Sequence, residues 1–174
     1  QMNYYYSGTL PAMIWRNEVW CLLAAELDGK LSAFGGGPEA GETRIQTAAR
    51  ETFEESGGIL KEADVTRAIE SCSLALNNGE GAVQYVVRIK HANLAHRIQK
   101  ALGKCISRWA RNGDPLPESH CEKTFCVWVP LISIWHDKSL RQKLRGAFRS
   151  NMDALGETIY QDVEQALRAA AIGL

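Results

Sequence analysis

The chain has 174 residues, close to the ordinary length of one domain, and 45% of them are hydrophobic against 23% charged. This balance argues against global disorder and against a second full domain. The 20 basic and 20 acidic residues give no net charge, so neither general attraction to nucleic acid nor an acidic solvating tail is indicated.

Apolar runs and cysteines indicate whether the chain crosses a membrane and whether it contains disulfides. No apolar run approaches the ~20 residues that a membrane-spanning helix needs. The cysteines are odd in number and widely spaced, which is typical of reduced thiols rather than a disulfide framework: Cys21, Cys72, Cys105, Cys121 and Cys126. We therefore expect an intracellular, for example cytoplasmic, protein without a membrane partner. A targeting segment removed before residue 1 stays an open alternative.

The first part of the chain is predicted to be β structure. Apolar segments at Leu10–Trp15, Val19–Ala25 and Leu31–Phe34 are separated by turn residues. The Asp28-Gly29 pair is a strong hairpin signal between the second and third segments. The glycine-rich stretch Gly35–Gly41 then predicts a loop whose backbone can approach a ligand closely.

A helix is predicted over Glu42–Ser56, because its apolar and small residues recur at helical spacing. The positions that follow this period are Ile45, Ala48, Ala49, Thr52 and Phe53. Two residues that readily take the left-handed conformation, Gly57 and Gly58, end the helix.

The second half of the chain alternates between strands and helices. Strands are predicted at Ala68–Leu76, Ala82–Ile89 and Thr124–Ile134. Between the last two strands, a helix is predicted from apolar residues at helical spacing: Leu94, Ile98, Ala101, Leu102, Cys105 and Trp109. After the last strand, Leu140, Leu144 and Phe148 predict a second helix. A terminal helix is predicted from Leu155, Ile159, Val163 and Leu167. Strands with helices on more than one side predict a mixed α/β or α+β sandwich.

Three glutamates of the first predicted helix share one helical face. Glu51, Glu54 and Glu55 are spaced i, i+3 and i+4, which brings their carboxylates close together. Without a counterion this arrangement is repulsive, and a hard divalent cation relieves the repulsion. Oxygen ligands at this spacing suit Mg²⁺ or Mn²⁺ rather than Zn²⁺.

The glycine-rich loop lies directly before this helix, so strand, loop and helix together predict a cradle for a metal and phosphate. Metal ions in such a cradle neutralise phosphate oxygens and activate water. The residues by themselves therefore predict metal-dependent phosphoryl or nucleotidyl chemistry.

The loop and helix also resemble the signature of the Nudix hydrolase superfamily. The segment runs Gly36, five residues, Glu42, seven residues, and then Arg50-Glu51-Thr52-Phe53-Glu54-Glu55-Ser56-Gly57-Gly58. Every charged and glycine position of the Nudix box matches. Thr52 and Gly58 stand where the signature has bulky apolar residues.

The resemblance implies a Nudix-like α/β/α sandwich with a mixed β-sheet, formed by one domain over residues 1–174. It implies that Glu51, Glu54 and Glu55 bind Mg²⁺ or Mn²⁺. It also implies that the Gly35 carbonyl binds a metal ion and that Gly36 and Gly37 form a loop facing the phosphates of the substrate. Arg50 and Glu42 are implied to hold the helix and the loop together.

The implied activity is that of a pyrophosphohydrolase, a hydrolase of phosphoric anhydrides. Water would attack one phosphorus of a nucleoside diphosphate linked to another group, as in nucleotide sugars, ADP-ribose or dinucleotides. The general base differs among members of the superfamily. Glu118 and Glu122 are candidates on a later loop in this sequence, beside the helix glutamates, and Glu122 is our preferred choice.

Residues 91–121 are predicted to be a helical insertion, and segments of this kind near a pocket commonly set specificity. From Arg88 to Arg111 the chain has seven basic residues and no acid. This stripe leaves open the alternative that the chain is an mRNA cap hydrolase that uses the basic insertion. The solvent-exposed face of an amphipathic helix is the commoner explanation of such a stripe. A nucleotide-type small molecule is therefore favoured over RNA as the partner. A non-catalytic module that senses a nucleotide or RNA is disfavoured, because a sensor has no need of three clustered acids.

Overall fold

A mixed seven-stranded sheet forms the centre of the computed structural model, which describes residues 4–112 and 122–174. Its strands are β1 (Tyr6–Trp15), β2 (Glu18–Glu26), β3 (Leu31–Ser32), β4 (Phe34–Gly36), β5 (Ala75–Asn77), β6 (Ala82–Arg88) and β7 (Lys123–Pro130). The order is β3-β2-β1-β6-β5, with β4 also paired to β1 and β7 to β2. β1 and β6 are parallel, and the other described pairs are antiparallel.

Helices connect and cover the strands. They are α1 (Arg44–Glu55), α2 (Glu62–Cys72), α3 (Leu94–Asn112), α4 (Ser133–His136), α5 (Lys138–Lys143), α6 (Gly146–Leu155) and α7 (Ile159–Ala169). Because successive strand residues point to opposite faces, Leu22 and Leu23 of β2 enter different cores. Leu22 packs in the core that contains Ala49 of α1, and Leu23 packs in the core that contains Val163 of α7. The predicted α/β/α sandwich with a mixed sheet is confirmed.

The first hairpin forms as its turn residues predict. Arg16 and Asn17 both have positive φ, 50° and 62°, the pattern of a two-residue turn whose twist matches that of the flanking strands. The strands pair from Ala12 opposite Cys21 to Trp15 opposite Glu18. β2 also pairs with β7, so it lies inside the sheet between neighbouring strands.

The prediction of a strand at Ala68–Leu76 is wrong, because most of that segment belongs to helix α2. Val65, Ala68, Ile69 and Cys72 are the buried residues of this helix, and their spacing of three and four is helical. Only the short strand β5 follows. Likewise, the predicted strand Thr124–Ile134 ends at Pro130, and α4 begins within it.

The cysteine prediction is correct in part. Cys21, Cys72 and Cys126 are free and buried. Cys105 is disulfide-bonded, which the expectation of reduced thiols did not include. Within the described residues, every helix is too short or too polar to cross a bilayer.

Candidate active site

The glycine loop and α1 meet because β4 pairs with the first half of β1. Gly8 lies opposite Gly35, and a Cβ atom at Gly8 would lie 1.9 Å from the Phe34 carbonyl oxygen. This close approach requires glycine. It places the Gly35 N–H so that it donates to Oε2 of Glu55, at 3.0 Å. The last turn of α1 is therefore attached to the loop.

A capping box starts α1 at a defined residue. The Thr43 side chain accepts from the Gln46 backbone N–H, and the Gln46 side chain accepts from the Thr43 N–H. Two of the free N–H groups of the first turn are satisfied in this way. The cap fixes where the helix begins and hence which face its glutamates occupy.

Arg50 is the centre of the charged cluster on α1. Its Nη1 donates to Glu51 Oε1 at 2.8 Å and to Glu54 Oε2 at 3.2 Å. Its Nε donates to Glu42 Oε1 at 2.7 Å, and its Nη2 donates to the Gly37 carbonyl at 2.9 Å. A guanidinium supplies donors in a planar fork, so one side chain holds three carboxylates and the loop backbone together.

Gly36 is required by the position of Glu51. A Cβ atom at residue 36 would lie 2.5 Å from Glu51 Cδ and 2.6 Å from both carboxylate oxygens. A larger residue would therefore displace the carboxylate from the loop. The predicted grouping of Gly36, Gly37 and Glu42 with the helix glutamates is thus present as contacts between loop and helix.

Glu55 lies in a buried ionic cluster that the sequence reading missed. Its side chain is 5% exposed, and that of Lys123, at the start of β7, is 2% exposed. Lys123 Nζ lies 3.7 Å from Glu55 Oε1, 3.0 Å from Ser32 Oγ and 3.4 Å from Glu26 Oε1. Arg145 Nη1 binds the same oxygen of Glu26 at 2.9 Å. A single lysine beside an apolar strand gives no signal in sequence, because only the fold brings it to Glu55.

Burial is the largest influence on the pKa values of Glu51 and Glu55. It raises the pKa of Glu55 to about 8, while Lys123 and the Gly35 N–H act in the opposite direction and the charge of Glu51 adds to the increase. Burial also raises the pKa of Glu51. By contrast, the hydrogen bond from Arg50 lowers the pKa of Glu42 to about 2. A carboxylate at Glu55 is therefore destabilised until a further cation is supplied.

We expect the metal-free protein to lose stability as pH rises from about 5 to 8. The pKa of Glu55 moves from 4.5 to about 8 on folding, so the native state holds a proton that the unfolded state releases. The resulting stability is full below the unfolded pKa and is lost as pH rises through the folded one, at most about 1.4 kcal/mol per pH unit. Urea unfolding in EDTA measures it. Glu55→Gln should flatten this dependence and the exposed control Glu70→Gln should keep it; equal slopes in all three proteins would contradict the prediction.

Glu122 lies close enough to act on the same carboxylates. It is exposed, immediately before β7, and its charge contributes to the raised pKa of both Glu51 and Glu55. The other late-loop candidate, Glu118, lies outside the described residues. Glu122 therefore stays our candidate for the general base.

The two departures from the Nudix box have structural explanations. Thr52 is fully buried, and its hydroxyl lies 2.7 Å from the Thr9 hydroxyl on β1, so a polar pair takes the place of an apolar contact. Gly58 has a φ of +79°, and its N–H donates to the Phe53 carbonyl at 2.9 Å. A bulky residue would be strained in that left-handed conformation.

We expect Thr9 and Thr52 to be energetically coupled. Changing either one to Val leaves the other hydroxyl buried without a partner, which should cost about 1–2 kcal/mol. Changing both removes both polar groups, so the double variant should lose clearly less than the sum of the single losses. Urea unfolding of the original protein, the two single variants and the double variant measures this coupling. Additive losses would show that the hydroxyls do not stabilise each other.

The described residues contain no group of three or more His, Cys, Asp or Glu side chains already arranged to hold a metal ion. Arg50 and Lys123 explain this, since they lie against oxygens of Glu51, Glu54 and Glu55. The donors still fit a hard divalent cation, because they are all carboxylate oxygens on adjacent turns of one helix. Gly35 contacts Glu55 through its N–H; its predicted carbonyl role stays a prediction.

Comparison with known proteins gives structural likenesses only. No family model matches the chain, and no curated protein matches it. A complex of the Ap4A hydrolase from C. elegans is 13% identical, with 86% of this chain and 92% of that chain covered and a TM-score of 0.48. A NUDIX hydrolase from Nitrosomonas europaea is 12% identical, with 87% of each chain covered and a TM-score of 0.42.

A MutT/nudix family protein from Enterococcus faecalis is 14% identical, with 75% of this chain covered and a TM-score of 0.42. The match spans 44% of that protein's own length. In its Nudix box, in the gathering of the charged residues of that box at one site, and in its mixed α/β sandwich, the chain resembles the Nudix hydrolases.

Proposed function

We propose that the chain is a divalent-metal-dependent pyrophosphohydrolase that cleaves a nucleoside diphosphate linked to another group. One observation carries this proposal: Glu55 and Glu51 lie against Gly35 and Gly36 of the loop, and Arg50 joins Glu51 and Glu54 to the Gly37 carbonyl. Like-charged side chains at this spacing repel each other, and a divalent cation would relieve the repulsion that Arg50 and Lys123 offset only in part. A glycine backbone beside them leaves space for phosphate oxygens.

Glu51, Glu54 and Glu55 are the residues that would hold Mg²⁺ or Mn²⁺. An ion of this kind, when bound, neutralises phosphate oxygens and activates water for attack on phosphorus. Arg50 keeps the loop and the carboxylates in register through its four partners. Lys123 favours the ionised form of Glu55, the form that binds a cation.

In the proposed reaction, a water oxygen forms a bond to one phosphorus and the bridging P–O bond breaks. Glu122 accepts the proton that the attacking water loses, and two phosphorylated products leave. The role of Glu122 is supported by its exposure and by its electrostatic effect on Glu51 and Glu55.

The proposal is tested with a panel of diphosphate compounds. Purified protein is incubated with ADP-ribose, NADH, nucleotide sugars, diadenosine polyphosphates, 8-oxo-dGTP and capped RNA, with Mg²⁺, Mn²⁺ or EDTA, and products are separated by chromatography. We expect two phosphorylated products from at least one class, and none in EDTA. Folded protein that binds a nucleotide tightly but turns over nothing with either metal would overturn the proposal in favour of a sensing module.

We expect Glu122→Gln to lower kcat about 100-fold, the lower end of what a general base contributes. KM and Mn²⁺ affinity should change little, because Glu122 is not among the proposed ligands. Glu118→Gln, four positions earlier in the sequence, is the matched comparison. A large loss in Glu118→Gln with full activity in Glu122→Gln would move the base to Glu118.

A further inference from the structure

Helix α3 has a straight row of cations that the proposed reaction does not use. The row consists of Arg97, Lys100, Lys104, Arg108 and Arg111, all exposed. Their spacing of three and four residues places them within an arc of about 80° on one face, over a length of about 21 Å. No acid occurs anywhere in α3.

Within the described residues, none of these five side chains forms an ion pair. Arg111 donates to the Ser107 carbonyl of its own helix at 3.3 Å. Some exposed cations elsewhere do form ion pairs, such as Arg67 with Asp64 and Arg145 with Glu26. Since the whole chain has no net charge, α3 is a local excess of positive charge that attracts a polyanion.

A cleft at the N-terminal end of the row is lined by further cations. It has a volume of about 340 Å³ and is lined by Lys61, Lys90 and Arg97 together with apolar residues such as Leu60 and Leu94. Asp64, the acid in its lining, is paired with Arg67. The cleft therefore adds two cations, Lys61 and Lys90, at the end of the row.

The apolar face of α3 is already used inside the protein. Leu94, Ile98 and Leu102 are at most 4% exposed and belong to the same core as Leu22 of β2. A helix that lies in a lipid surface inserts its apolar face into it, whereas Leu94, Ile98 and Leu102 of α3 are already buried in the protein core. The row thus acts by charge alone, which favours a nucleic acid strand over a membrane.

The middle of α3 lies beside the end of α1. Ala101, in the middle of α3, lies against Gly57, because a Cβ atom at Gly57 would be 3.0 Å from the Ala101 Cβ. Gly57 follows Glu55 by two residues. A strand bound along α3 would therefore pass close to the end of α1.

We propose that the α3 cation row, with the adjoining cleft, binds single-stranded nucleic acid. Side chains at this spacing contact successive phosphates of one strand, and binding of this kind tolerates any sequence. The proposal goes beyond the hydrolytic reaction and does not depend on it, since binding is measured without turnover.

The test measures fluorescence anisotropy of a labelled 12-nucleotide single-stranded RNA in EDTA. If all five cations contact phosphates, affinity should fall about 100-fold between 50 and 200 mM salt. The triple variant Lys100→Glu, Lys104→Glu, Arg108→Glu should bind at least tenfold more weakly, and its salt dependence should be shallower. The matched control reverses three exposed cations of α5 and α6, Lys138, Lys143 and Arg149, and should bind like the original protein.

The neutral variant Lys100→Gln, Lys104→Gln, Arg108→Gln guards against misfolding of the charge-reversed protein and should show an intermediate loss. Equal affinity of the neutral variant and the original protein would overturn the proposal. So would binding that is insensitive to salt, or binding to anionic lipid vesicles without binding to RNA. Hydrolysis of small nucleotides in the same variants separates the two proposals: RNA binding without hydrolysis removes only the enzyme, and hydrolysis without RNA binding removes only this inference.

Discussion

Glu55→Gln is expected to lower metal-dependent turnover about 1,000-fold, corresponding to about 4 kcal/mol of lost transition-state stabilisation. The substitution keeps the size of the side chain and the acceptor for the Gly35 N–H, which Glu55 Oε2 binds at 3.0 Å. It removes the negative charge that a divalent cation needs. Steady-state kinetics over a range of Mn²⁺ concentrations, together with Mn²⁺ affinity from titration calorimetry, measure both effects.

Two controls make the Glu55→Gln result specific. Circular dichroism must show that the variant is folded, and the exposed substitution Glu70→Gln on α2 should keep full activity. If Glu55→Gln binds Mn²⁺ and turns over substrate like the original protein, the proposed function fails at its central residue. If only Mn²⁺ affinity falls and high Mn²⁺ restores kcat, Glu55 binds the metal but adds nothing further to the reaction.

Arg50→Met is expected to lower the free energy of unfolding of the metal-free protein by about 3 kcal/mol. Arg50 is 14% exposed, and its partners Glu42, Glu51 and Glu54 are between 14% and 19% exposed. Removing one partner of a mostly buried ionic cluster leaves uncompensated charge, which is far more costly than loss of a surface pair. Urea unfolding in EDTA measures the loss.

The comparison for Arg50→Met is Arg67→Met. Arg67 pairs with Asp64 on the surface of α2, where the two side chains are 59% and 50% exposed, and its loss should cost less than about 1 kcal/mol. Added Mn²⁺ should stabilise Arg50→Met more than the original protein, because a cation then replaces the missing charge. The free energy of unfolding of Arg50→Lys should lie between that of Arg50→Met and that of the original protein, since an ammonium group keeps the charge but cannot reproduce the planar fork of donors. Equal losses at positions 50 and 67 would show that the cluster does not stabilise the loop.

Periodicity and turn chemistry predict the parts of the fold that depend on neighbouring residues. The β1–β2 hairpin, the start of the glycine loop and helix α1 follow from local patterns, and the carboxylates follow from their spacing on one helix. Helix α2 was missed because Ala68–Leu76 has enough apolar residues to resemble a strand, although Val65, Ala68, Ile69 and Cys72 follow a helical period.

The remaining site residues depend on contacts between distant parts of the chain. Lys123 reaches Glu55 only because β7 pairs with β2, and no spacing rule connects positions 55 and 123. The hydroxyl of Thr52 finds Thr9 only after α1 packs on β1. Sequence periodicity indicates which residues are buried, but it does not indicate which buried polar groups will meet.

Pairing of β7 with β2 also has a consequence for how the proposed metal site forms during folding. Lys123 and Glu26 are 97 positions apart, and Arg145 and Glu26 are 119 apart. Contacts of such long range form late in folding, because a large loop must first be closed. The contacts of Arg50 with the loop and with Glu54 are local in sequence, whereas the contact of Glu55 with Lys123 requires β7 to pair with β2. Recovery of tight Mn²⁺ binding after dilution from urea should therefore lag behind recovery of helical signal and follow the docking of β7.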